Sequence, residues 1–188
     1  MKSPAPAITP PAKNPFLEKF YDDPTRFALP AQLHFLFQRV EQLQDFRQDD
    51  LFRRLFISDY MLDKDRIFAA LTLDHAEFEM YCLVYERIVD NILNPDLVVY
   101  LHAQAPTLLR RIARRGLRYE KGVDRAYLDR LGGRYVEFFR GYDRAPVLVV
   151  DTEDINFDDN EAHYAALLKT IAAGVRGTQY FVAPKLIG

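Results

Sequence analysis

Two apolar runs constrain this chain more than anything else in it: Leu97-Val98-Val99-Tyr100-Leu101 and Val147-Leu148-Val149-Val150. Neither alternates with polar residues, so each reads as a strand covered on both faces, as strands of a parallel sheet are. The stretch between them holds two segments with helical spacing, about 106–115 and 124–142. That is long enough for the right-handed crossover which parallel neighbours require. A third short run, Leu55-Phe56-Ile57, lies between Arg53-Arg54 and Ser58-Asp59 and reads as a buried strand that delivers a polar tip. The fold class is therefore α/β, a parallel sheet flanked by helices.

The remaining helices follow from periodicity. Residues 16–21 suggest a short helix, and Asp22-Asp23-Pro24 a turn after it. A longer helix is expected over 30–44, with Leu33, Leu36, Phe37, Val40 and Leu43 on its buried face and Gln32 and Arg39 on the other. One long helix is expected over 64–93, before Asn94-Pro95 breaks it. Residues 1–13 carry four prolines and no apolar period, which reads as an unpacked leader before a single domain at 14–188. The tail from 177 to 188 shows no pattern of its own.

Composition narrows the function classes. Twenty-five Lys and Arg against 27 Asp and Glu leave a formal charge of −2, so no global basic field recruits a nucleic-acid polymer or an anionic membrane. No window is apolar enough to span a bilayer, and the N-terminus lacks a secretory h-region. A cytoplasmic protein is expected. The one cysteine, Cys82, reads as a small buried apolar residue. Histidines 34, 75, 102 and 163 show no metal-ligand spacing, and Ser58 lacks a nucleophile elbow.

Three features could carry chemistry. Arg110, Arg111, Arg114, Arg115 and Arg118 crowd into nine positions, stacking like charges at i,i+4. Phosphate would relieve that repulsion, whereas a solvated basic face neutralised by Glu120 and Asp124 is the alternative. Gly116 and Gly122 punctuate this segment as they would a lid. Asp59 falls at an expected strand end, where α/β sheets place ligands, and could hold Mg²⁺ or simply cap the next helix. Asp63 and Asp65 read as surface or capping residues. Gln32 and Arg39 are seven apart, two helical turns, and could meet one base edge, although both are ordinary surface helix residues.

Taken together and in order, four segments resemble the deoxynucleoside kinases of the compact bacterial kind: NPFLEKFYDDPTRFALPAQLHFLFQR at 14–39, ISDYMLDKDRIFAA at 57–70, PDLVVYLHAQAPTLLRRIARRGLRYE at 95–120, and APVLVVDTEDINF at 145–157. The resemblance implies a P-loop-kinase-like fold and transfer of a phosphoryl group from ATP, with Mg²⁺, to the 5′-hydroxyl of a deoxynucleoside. It implies that Tyr21 contacts the sugar 3′-hydroxyl and that Gln32 and Arg39 share the base pocket. By the same resemblance Asp59 joins the magnesium and phosphate network, Arg111 and Arg115 clamp the phosphoryl donor, and Glu120 is a lid acid in the substrate site. Arg118 stands beside Leu117, where the family commonly has arginine, and Asp154 to Phe157 resembles the stretch lying against the donor adenine. The family also pairs its long helices, so a homodimer is expected.

One part of the family pattern is missing from these residues. No G-x-x-x-x-G-K-[ST] occurs, and no glycine precedes Gly116. The first strand, phosphate loop, first helix and the general-base glutamate of the family are thus expected to be absent. Positioning and electrostatics are nearly all of phosphoryl-transfer catalysis, so inefficient transfer is expected. The alternative to a truncated kinase body is a non-catalytic module that binds a nucleoside or nucleotide, or that dimerises.

Overall fold

A computed structural model of the chain describes residues 14–49, 57–89, 94–117, 120, 122–155, 157 and 160–183. The leader at 1–13 lies outside the described residues, as do Leu55, Phe56 and Arg118. Two compact units divide the chain, Met1–Leu93 and Asn94–Gly188.

In the first unit α1 spans Leu17–Asp22 and α2 spans Pro24–Asp49. The expected turn is a junction at Asp23, whose Oδ1 accepts from the Arg26 amide at 3.3 Å. Pro24 fills the first helical position, where a missing N–H removes no bond, so α2 begins six residues before the periodicity indicated and carries Pro30 inside it. Asn14 ties the chain start to this helix through Nδ2 and the Ala31 carbonyl at 3.1 Å. The core joins Leu36 and Val40 of α2 to Leu62, Ala69, Tyr81 and Tyr85, with Cys82 packed at its margin.

Three expectations are corrected here. Ile57 is in no strand and is 65% exposed. Asp59 lies in a bend where the Ser58 hydroxyl donates to the Tyr60 carbonyl at 2.9 Å and accepts from the Tyr60 amide at 3.1 Å. The single helix over 64–93 is two, α3 at Asp63–Thr72 and α4 at His75–Val89. Asp74 breaks it with a reciprocal cap: its Oδ1 accepts from the Glu77 amide at 2.9 Å while Glu77 Oε2 accepts from the Asp74 amide at 3.3 Å. Asp63 and Asp65, read as surface or capping residues, are not on the surface: both are buried in the first turn of α3, after its N-cap Leu62.

The second unit carries β1 (Val98–His102), α5 (Ala105–Arg115), α6 (Arg125–Arg140), β2 (Val147–Asp151), α7 (Glu161–Ala172) and β3 (Thr178–Phe181). The strands form one parallel sheet in the order β1-β2-β3. Val98 pairs with Val147 and Val147 with Thr178. Among the described residues the third strand is β3, in the tail; of the run at 55–57 only Ile57 is described, and it is in no strand. β2 is central, with Val147, Leu148 and Val150 fully buried. β1 is not covered on both faces, because Val99 and Leu101 are exposed and its burial alternates. Its inward Tyr100 meets the rings of Tyr135 at 5.5 Å and Phe139 at 4.7 Å, which fixes α6 on the sheet. Leu148, Val150 and Phe181 pack with Ile155 and with Leu167 of α7. Among the described residues, no helix is long and apolar enough to cross a membrane.

Candidate functional site

The sequence-nominated residues fall into two groups, one in each unit. In the first, Gln32 and Arg39 stand two turns apart on α2, and both are buried, at 8% and 9% exposure. Leu36 and Val40 of the expected apolar face are in the core as read, but Phe37 from that face is 53% exposed and Gln32 and Arg39 are buried beside it rather than turned to solvent. Gln32 Nε2 donates to the Thr72 hydroxyl of α3 at 3.0 Å, and that hydroxyl donates to the Phe68 carbonyl at 2.9 Å. Arg39 Nη1 donates to Gln42 Oε1 at 3.1 Å, and its guanidinium lies over the Tyr60 ring.

Around Arg39 is a cluster of buried polar side chains that the sequence did not reveal. Burial raises the Asp65 carboxyl from its usual value to about 6, although Tyr60, the Arg39 charge and the Lys64 charge each pull it back down. Burial and the neighbouring Asp65 charge push the Tyr60 phenol well above its usual value. Among the described residues, Arg39 Nε, Asp65 Oδ2 and the hydroxyls of Tyr60 and Tyr81 are buried without a hydrogen bond of normal geometry. The Tyr60 hydroxyl draws the Asp65 carboxyl back down, and Asp65 in turn raises the Tyr60 phenol. A cation, a carboxyl of raised pKa and several buried polar atoms without a hydrogen-bond partner are brought together here, a set of groups that could hydrogen-bond a polar ligand.

Tyr21 is 46% exposed on α1. Asp59 is exposed in its bend, close enough to Lys64 for its charge to offset part of the burial that lowers the Lys64 pKa. Among the described residues, no group of three or more His, Cys, Asp or Glu side chains could bind a metal ion. A lone exposed carboxylate fits Mg²⁺ that arrives with phosphates and retains its waters, rather than a protein cage.

In the second unit the arginines divide. Arg111 is committed to the loop after β2, donating to the Thr152 hydroxyl at 2.9 Å and the Thr152 carbonyl at 2.5 Å. Arg110 donates to the Thr107 hydroxyl at 3.0 Å. Arg115 forms a two-point pair with Glu120, through both Nε and Nη2. Gly116 ends α5 between them at φ +69°, a left-handed turn that glycine adopts without strain. Asp154 is exposed, whereas Phe157 packs against the core under β2.

Glu153 was not anticipated. It accepts from the Gln104 amide at the start of α5 and, at 2.6 Å, from the Thr107 hydroxyl. Those hydrogen bonds hold its carboxyl below the usual glutamate range. An open cavity of about 220 Å³ lies at the end of β1, where His102 and Gln104 face Arg125, Asp129 and Gly132 of α6. None of the sequence-nominated residues lines it.

A family model described as deoxynucleoside kinase matches residues 7–176. A deoxyguanosine kinase of Bacillus subtilis is 33% identical over 168 residues, covering 87% of this chain and 79% of that protein. The deoxyadenosine/deoxycytidine kinase of the same organism is 28% identical over 176 residues, 88% of this chain and 79% of its own. The structure of deoxyadenosine kinase from M. mycoides with bound dATP superposes with a TM-score of 0.73 at 24% identity, over 89% of this chain and 85% of that one. That likeness carries the fold, a P-loop-kinase-like arrangement of helices about a parallel sheet. From the extent of the family match and the identity to the Bacillus relative, this chain belongs to the deoxynucleoside kinase family.

Proposed function

We propose that this chain binds a deoxynucleoside in the cytoplasm through the buried Gln32 and Arg39, with Tyr21 at the sugar, and that its residues alone do not transfer phosphate efficiently. The observation that supports the binding half is the burial of Gln32 and Arg39 amid unmet polar atoms. A surface helix would not keep such groups dry, because each unpaired donor or acceptor removed from water costs on the order of 1–3 kcal/mol.

On this reading Asp59 touches Mg²⁺ through water. Arg111 and Arg115 face the phosphates of ATP with Arg118, Glu120 closes on the substrate, and Asp154 and Phe157 flank the donor base. ATP supplies the transferable phosphoryl group. Arg111 and Arg115 already have protein partners, so phosphate binding exchanges Thr152 and Glu120 for phosphate oxygens. The absence of a G-x-x-x-x-G-K-[ST] loop from the sequence supports the second half. Without it, no backbone nest or lysine in these residues cradles the β- and γ-phosphates. Exposed Met80 and Leu83 on α4 are apolar neighbours that a second copy would cover in a homodimer.

Titration calorimetry with deoxynucleosides, alongside a phosphoryl-transfer assay with ATP and Mg²⁺, tests both halves. Expected are measurable nucleoside binding, at least tenfold weaker in Gln32→Leu, and no turnover above background. Turnover like that of an intact kinase would overturn the second half, and unchanged binding in Gln32→Leu the first.

A further inference from the structure

A carboxamide has two faces that differ only in which end carries oxygen, so a glutamine free to turn by half a rotation pairs with any base. Gln32 is not free to do so. Its Nε2 donates to Thr72 Oγ1 at 3.0 Å, and the Thr72 hydrogen is already given to the Phe68 carbonyl at 2.9 Å, one turn back along α3. A backbone carbonyl can only accept, so the direction of both hydrogen bonds is set from the Phe68 end. Turning the amide over would place Gln32 Oε1 against the lone pairs of Thr72 Oγ1, unless the hydroxyl abandoned Phe68. Among the described residues, Gln32 Oε1 has no hydrogen-bond partner.

The bases differ in just the property that this fixes. Adenine and cytosine present an exocyclic amino donor beside a ring-nitrogen acceptor; guanine and thymine present an exocyclic carbonyl acceptor beside a ring N–H donor. With the sugar held in one place, an amide of fixed orientation matches one of these orders and opposes the other.

We propose that Thr72 is a positioning residue that locks the Gln32 amide through the Gln32–Thr72–Phe68 hydrogen-bond chain, so that this protein separates amino-bearing from oxo-bearing bases. The inference rests on Gln32 being the base contact. Thr72 itself touches no ligand and acts only through Gln32.

The test measures affinity for deoxyadenosine against deoxyguanosine, and for deoxycytidine against thymidine, by titration calorimetry on the full chain. Each pair holds ring size constant. Wild type is expected to favour the same class, amino or oxo, in both pairs. Thr72→Val, which keeps the shape and removes the hydroxyl, is expected to narrow those ratios by roughly three- to tenfold, the range of one hydrogen bond. Thr72→Ser keeps the hydroxyl and is expected to retain them, with unfolding midpoints of both variants close to wild type. Equal affinities in wild type, or ratios unchanged in Thr72→Val, would overturn the proposal. So would a uniform weakening of all four ligands, which would mark Thr72 as merely structural. Gln32→Leu separates the two levels: if it alters no affinity, the base-contact reading itself fails, whatever Thr72 does.

Discussion

The guanidinium carbon of Arg39 lies 4.0 Å from the centre of the Tyr60 ring. An arginine this far buried needs its charge balanced, and the ring face does so together with Asp65, which lies close enough for the Arg39 charge to act on its titration. Tyr60→Leu keeps the apolar volume and removes the ring face, and should cost about 1–2 kcal/mol in urea unfolding. Tyr60→Phe keeps the ring and deletes a buried hydroxyl with no hydrogen bond of normal geometry, so it should be neutral or slightly stabilising. A Phe variant as weak as the Leu variant would show that the hydroxyl, not the ring, supports Arg39.

Asp65 should give the first unit an unusual pH response. Its carboxyl is raised from 3.8 to about 6 in the fold, so between those values the folded chain holds a proton that the unfolded chain has released. Stability from this group is therefore fully present below about pH 4, falls as pH rises through 6, and the span is worth about 3 kcal/mol. Unfolding midpoints recorded from pH 4 to 7 should show this decline in wild type, and Asp65→Asn should flatten it. A steeper decline in the variant would contradict the assignment.

Glu153 carries the opposite sign. Its carboxyl is held below the ordinary range, so its contribution is present above the usual glutamate pKa and is lost as pH falls through the lowered value. Glu153→Gln should loosen the start of α5, read as faster amide exchange at Gln104 and Leu108 at neutral pH. Acidifying wild type should bring its exchange, corrected for the intrinsic rate, toward that of the variant. Equal exchange in the two proteins at pH 7 would contradict a role for the carboxylate.

Asp74 is predicted to matter more than its exposed position suggests. Asp74→Ala removes the oxygen that caps α4 and should lower stability by about 1 kcal/mol, with helix content reduced near 75–78. Circular dichroism and urea unfolding would check both, and Asp74→Asn should recover most of the loss.

The apolar strands at 98–102 and 147–151 and the helices that follow β1 and precede β2 were legible because each is a run or a period long enough to outweigh its flanks. The break at Asp74 was visible in principle as Asp-x-x-Glu, but the apolar period of 64–93 runs straight across it and masked the cap. β3 carries Thr-Gln-Tyr-Phe, with no apolar run, and is a strand only because β2 needs a partner on that edge. Gln32 and Arg39 were misplaced on the surface for one reason: a pattern of apolar residues reports which face is greasy, whereas these buried groups are met by Thr72 and Asp65 of α3. Helix polarity cannot show that in advance.

β3 also decides how the second unit can fail. Among the described residues it is the last strand in chain order, and it shields one side of β2, the most apolar segment of the sheet. A product interrupted before Thr178 would leave Val147 to Val150 with a bare row of amides and carbonyls flanked by valine and leucine, a template for pairing between chains. Nonsense and frameshift lesions upstream of that point should therefore give insoluble protein rather than a shortened binder.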